Sequence, residues 1–146
     1  MRWDNKEKKI FIYGFLIFIM SCMPSCSNKK EEIHKVINED AGLSLSNDYK
    51  LINYADNNFI DSTYIMQIKI PNNSIEKLKK QIMDRVASCP KYKNHKLSKI
   101  AKETSWWNPE RKIFTTKYIS KFSGIYIVIS KDKDGTFLYI ESKYLY

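Results

Sequence analysis

Two histidines, three cysteines and a dense run of lysines are the residues of this 146-residue chain whose types and spacing bear on chemistry. His34 falls in a segment of weak helical spacing, and His95 stands among lysines. Neither has a second ligand at the interval of a His-x-x-x-His or Cys-x-x-Cys metal site. The four glycines, at 14, 42, 124 and 135, are too scattered to form a phosphate-cradling loop. Cys89 and His95 are one thiol-and-base combination. Pro90 interrupts the chain between them and lysines surround the imidazole, so their closeness in sequence reads as chance. No catalytic or metal-binding constellation and no cofactor are expected, with a small hydrolase as the catalytic alternative.

The basic stretch is more informative. From Lys77 to Lys102 nine positive residues stand against one negative residue, Asp84. Its later part, Lys91, Lys93, Lys96, Lys99 and Lys102, is a candidate binding segment for an anionic partner; the plainer reading is a solvated face. Trp106-Trp107-Asn108-Pro109 follows. Two adjacent indoles point in different directions, so one is expected to plug a core. The other, exposed beside Arg111, would suit a glycan or protein hot spot.

These residues need elements to position them. At 43% apolar and 28% charged, with a formal charge of +9, the chain is neither a disordered acidic tail nor a multi-span membrane protein. Ile33, Val36 and Ile37 suggest a short N-terminal helix over 31–38, stopped by Gly42. Tyr49 to Tyr54 is a short strand candidate before an Asp56-Asn57-Asn58 turn. Tyr64, Met66, Ile68 and Ile70 then alternate with Thr63, Gln67 and Lys69, Ile65 being the exception, and Pro71 ends that strand. Asn73 and Glu76 have the spacing of a capping box, and Ile75, Leu78, Ile82, Met83 and Val86 define one face of the main helix. After a long loop come strands over 113–120, 125–130 and 136–143, with turn signals at Ser123-Gly124 and Asp134-Gly135. The expected fold is α+β: an antiparallel sheet of about five strands on one main helix, plus the short N-terminal helix. Ile125, Ile127 and Ile129 face one way, Tyr126 and Val128 the other, so both faces are apolar and the main helix covers only one. The N-terminal helix or a partner must cover the second.

The first residues read as an address. Arg2, Lys6, Lys8 and Lys9 precede eleven uncharged residues, Ile10 to Met20. A bilayer-spanning helix needs about 20 apolar residues, so this run fits a secretory signal rather than an anchor. Ile19-Met20-Ser21-Cys22 resembles the lipobox of bacterial lipoprotein precursors. That resemblance implies removal of residues 1–21 and acylation of Cys22, with Cys26, preceded by Ser25, as the alternative lipidation residue. It also implies attachment to the bacterial cell envelope, facing the periplasm or the cell surface, because two or three acyl chains hold a membrane stably. Residues 22–32 then form a lipidated polar tether, and 33–146 a single small domain. If Cys22 is acylated, Cys26 and Cys89 are free to pair in an oxidising compartment; if Cys26 is, Cys89 is a lone thiol. The reading leans to a free, buried Cys89.

The mature part, with its Tyr- and Ile-rich strand, capped helix, Trp106-Trp107-x-Pro109 and terminal hairpin, resembles small α+β domains of exported bacterial lipoproteins over 43–146. That resemblance brings no catalytic residues. The expected function is a membrane-anchored, non-catalytic module that recognises a protein or an anionic glycan or lipid surface. Export takes nucleic acid out of reach, and nothing in the sequence fixes an oligomeric state. The alternatives are an envelope-structural lipoprotein without a specific ligand and an immunity-type inhibitor of an incoming toxin.

Overall fold

The computed structural model describes residues 26–57 and 62–145; the signal segment 1–21, Cys22 and Asn58 of the expected turn lie outside the described residues. The chain divides into two units, Met1–Glu32 and Ile33–Tyr146. Helix α1 is Cys26–His34. No helix among the described residues is long and apolar enough to cross a membrane.

The second unit is α+β. Its elements are a wide helical turn at Lys35–Asp40, β1 (Lys50–Asn57), β2 (Thr63–Lys69), α2 (Ile75–Ala87), α3 (Lys99–Glu103), β3 (Lys112–Ser120), β4 (Ser123–Asp132) and β5 (Gly135–Tyr144). The strands form one antiparallel sheet in the order β1-β2-β5-β4-β3. Short connections dictate this: β1–β2 is a hairpin, β3–β4–β5 a meander, and β5 joins the two by pairing with β2. Both edge strands carry a register shift, β1 between Leu51 and Asn53 and β3 between Lys112 and Phe114. Such bulges blunt a sheet edge against pairing with another chain.

The first face carries the main core. Ile75, Leu78 and Ile82 of α2 and Val36 and Ile37 of the N-terminal helical turn pack with Met66, Ile68, Ile125, Ile127, Ile129, Leu138 and Ile140. The N-terminal turn widens to π geometry, with Ala41 N–H bonded to the Val36 carbonyl at 2.8 Å, and Gly42 ends it at φ +67°. A Cβ on Gly42 would also lie 2.5 Å from the Arg85 Nε.

Local structure departs from expectation in four places. The capping box does not form: the chain enters α2 through a 3₁₀ turn at Asn72–Ser74, no side chain caps it, and Glu76 pairs with Lys79 at 2.9 Å. Asn72 is taken elsewhere, accepting from the Thr136 hydroxyl at 2.9 Å. Met83 lies 51% exposed, one position beyond the buried stripe. The β3–β4 turn is Lys121-Phe122, with Lys121 at φ +52°, and Gly124 is a buried residue of β4. Finally, β1 continues through the expected Asp56-Asn57 turn.

The N-terminal helix packs on the first face and leaves the second to another segment of the chain. The segment 91–111, read in sequence as a loop, lies over it as a strap and brings Leu97, Ile100, Ala101, Trp106 and Trp107 onto Ile65, Tyr126, Val128, Phe137 and Tyr139. Ile65, the exception in the β2 alternation, is thereby explained: β2 is buried on both sides. Gly124 allows the approach of the strap, since a Cβ there would sit 2.2 Å from the Tyr92 ring. Gly124→Ala is therefore expected to cost about 1–3 kcal/mol in urea unfolding, as overpacking does, whereas Met83→Ala changes stability by about 0.5 kcal/mol or less.

Candidate functional site

The strap carries all the candidate binding residues, and one buried carboxylate fixes its position. Phe137, Tyr139 and Glu141 follow one another on the second face of β5 by strand alternation. Glu141 is 1% exposed. Its Oε2 meets the His95 Nε2 at 2.6 Å and its Oε1 accepts from the Ser98 backbone N–H at 2.8 Å. An ionised carboxylate only accepts, so the His95 Nε2 carries the donated proton. The imidazole is stacked on Tyr126 at 4.4 Å and meets the edge of Tyr92 at 5.3 Å.

The electrostatics follow from this geometry. Burial pushes the Glu141 carboxyl up, but the His95 and Ser98 hydrogen bonds and the His95 charge outweigh it, and the carboxyl ends below its ordinary value. The phenols of Tyr92 and Tyr126 are raised, chiefly by burial and then by the nearby Glu141 charge. Ser98 has a second task. Its hydroxyl caps α3 by accepting from the Ala101 N–H at 3.2 Å, so the residue that ties the strap to Glu141 also starts its helix.

A second network lies further along the strap. The Asn53 amide donates to Gln67 at 2.7 Å, Gln67 to the Tyr139 hydroxyl at 2.9 Å, and Tyr139 to Asp132 at 2.5 Å. Asp132 also accepts from the Ser130 hydroxyl and from the Glu110 N–H at 2.9 Å. The Tyr139 phenol is raised by burial and then by Asp132.

Lys91, Lys93, Lys96, Lys99 and Lys102 are all exposed. Lys99 stands 3.8 Å from Glu103; the other four make no ion pair among the described residues. Lys91 forms a backbone bridge to Tyr118 on the edge strand β3, and the Lys93 carbonyl accepts from the Lys117 ammonium at 3.3 Å. Trp107 is the core plug at 7% exposure, and Trp106 is half-buried against it rather than free. The Arg111 side chain is exposed while its backbone N–H donates to the Ser130 hydroxyl. Cys22 lies outside the described residues. Cys89 is a free thiol, half-buried against the first core. His95 is on the second face, so the thiol and the imidazole are on opposite sides of the sheet. Among the described residues no three His, Cys, Asp or Glu side chains converge on a metal position.

Sequence reasoning passed over Glu141, Tyr139 and Asp132. The available signal was the row Phe137-Tyr139-Glu141: an acidic residue in line with two aromatics on a buried strand requires a donor, and His95 is the nearest candidate in a cover segment.

Because the Glu141 pKa is lower folded than unfolded, its contribution to stability is complete above the unfolded value of about 4.3 and is lost as the pH falls through the folded one. Urea midpoints should fall on acidification, and Glu141→Gln should flatten that limb. Glu141→Ala, which strands two donors, is expected to cost on the order of 3 kcal/mol at neutral pH.

No protein-family model matches the chain, and no curated protein or solved structure matches it. The chemistry of its own residues carries the functional reading.

Proposed function

We propose that this chain is an exported, lipid-anchored binding protein whose strap meets an anionic surface, of a protein, lipid or glycan, without catalysing a reaction. One observation carries this reading: the strap is held by buried hydrogen bonds to Glu141 while Lys91, Lys93, Lys96 and Lys102 project unpaired into solvent. Free lysines on a disordered loop would pay an ordering cost on binding, about 0.5–1.5 kcal/mol for each immobilised side chain. Here the backbone beneath them is already ordered. Each lysine near an anionic surface contributes about 1 kcal/mol, screened over a Debye length of about 8 Å at physiological salt.

The location rests on the basic start, the Ile10–Met20 run and Cys22. Intact-mass analysis of cells making the protein should find residues 1–21 gone and acyl mass gained, and Cys22→Ser should leave the precursor unprocessed. For the binding face, full-length protein in detergent micelles should bind labelled polyglutamate with an affinity that falls steeply with salt. Replacing Lys91, Lys93, Lys96 and Lys102 together by Ala should weaken it about tenfold or more and flatten the salt dependence. Binding that ignores both salt and these substitutions would refute the reading.

A further inference from the structure

Beside the end of the strap, Trp106, the β4–β5 turn and Gln67 of β2 enclose an open cavity of about 210 Å³. One side of it is lined by the Trp106 indole. Trp106 is held edge-on by Trp107 at 6.2 Å, and Trp107 in turn by Tyr139 at 5.4 Å. Its floor is the Gln67–Tyr139–Asp132 hydrogen-bond chain, anchored at one end by Asn53 and at the other by the Glu110 N–H. Around the lip, Ser105, Asn108 and Asp134 make no side-chain hydrogen bond among the described residues. The Trp106 indole, a hydrogen-bonded polar chain and three uncommitted polar side chains line one recess.

We propose that this cavity binds the ring of a neutral saccharide. A sugar ring presents an apolar C–H face, which packs on an indole, and a rim of hydroxyls, each of which both donates and accepts. Asn108, Ser105 and Asp134 together offer an amide, a hydroxyl and a carboxylate, the mixed set that such a rim takes up. Glu110, Asp132 and Asp134 outnumber Lys133 in the lining, which disfavours an acidic sugar. A compact cation is also a poorer fit. Both Asp132 oxygens already accept hydrogen bonds, and one Glu110 oxygen accepts from the Lys133 N–H at 3.2 Å, so only Asp134 has both carboxylate oxygens uncommitted. The site goes beyond the lysine-borne contact and does not depend on it.

The test uses full-length protein in a sugar-free detergent, with methyl α-glucoside, methyl α-mannoside and N-acetylglucosamine as probes. The readout is the NMR signals of the Trp106 indole N–H and the Asn108 side-chain amide. At least one probe should shift both saturably, with a dissociation constant in about the millimolar range and little change on adding salt. Trp106→Ala should weaken that binding about tenfold or more, and Trp106→Phe should retain part of it. Asn108→Ala and Asp134→Ala alter exposed side chains, so they carry the test should Trp106→Ala fail to fold. The proposal is overturned by the absence of a saturable shift with all three probes, by binding that survives Asn108→Ala and Asp134→Ala, or by N-acetyl-lysine methylamide binding in place of the sugars. None of these outcomes bears on salt-dependent polyglutamate binding, so the two readings stand or fall separately.

Discussion

Glu141 lies on a strand with neighbours on both sides, 1% exposed, on a face otherwise lined by aliphatic and aromatic side chains. A carboxylate there without donors would lose several kcal/mol of hydration or take up a proton. It has two donors, and both come from the strap. Buried pairs of this kind add little net stability over an apolar substitute, and in some proteins they fix register. Shifting the strap by one residue would remove His95 from Oε2 and the Ser98 N–H from Oε1 together. Register at Ser98 sets the start of α3, and α3 in turn leads to the turn that drops Trp107 onto Tyr139. That carboxylate sets the middle of the strap, while Lys91 is held by its bridge to Tyr118 and Arg111 by its N–H bond to Ser130.

The two faces of the sheet solve the same problem with different materials. On the first, two helical segments supply Ile, Leu and Val side chains at helical spacing, and aliphatic packing suffices. The second is covered by a segment with only five residues of α-helix, which cannot present a continuous apolar stripe. Aromatic rings compensate, because each covers a large area from one attachment point. Their polar ends must then be satisfied, hence the chain from Asn53 through Gln67 and Tyr139 to Asp132. That chain ties the edge strand β1 to the β4–β5 turn, so the polar network also braces the sheet across its width.

The sheet, the main helix and the N-terminal helix were legible in the sequence because Met66 and Ile68, or Ile75, Leu78 and Ile82, repeat with the period of their element. What defeated pattern reading was cover at long range. Nothing local in Lys91 to Arg111 announces that it lies on a sheet, since its apolar residues Leu97, Ile100 and Ala101 keep helical spacing for only one turn and Trp106 and Trp107 follow neither period. The glycine at 124 was misread for a related reason: its sequence neighbours suggest a turn, and only the Tyr92 ring, thirty-two positions earlier, explains the missing side chain. The capping box of Asn73 and Glu76 failed because the chain enters the helix through a 3₁₀ turn, where Asn73 accepts from the neighbouring Ser74 hydroxyl and Glu76 pairs with Lys79. Of the candidate site, the lysines were visible as composition and one of the two indoles, without saying which, as a core plug. The pairing of His95 with Glu141 was not, because residues 46 apart meet only through the fold.

The lysines do not all stand in the same position with respect to structure. Lys117 lies on the exposed edge strand β3, where a charge guards against pairing with another chain. Lys91 extends that protection by its backbone bridge to Tyr118, and the Lys93 carbonyl holds the Lys117 ammonium. Lys99 faces Glu103 one helical turn on. Each of these has a use that requires no ligand. Lys96 and Lys102 have none. Lys96 follows the pinned His95 over the middle of the sheet, and Lys102 follows the buried Ala101 of α3, so neither guards an open edge or pairs with an acid among the described residues. Under the proposed reading, the ammonium groups of Lys91, Lys93, Lys96 and Lys102 all remain available to an anionic partner, and Lys96 and Lys102 are the two whose residues also have no other structural task.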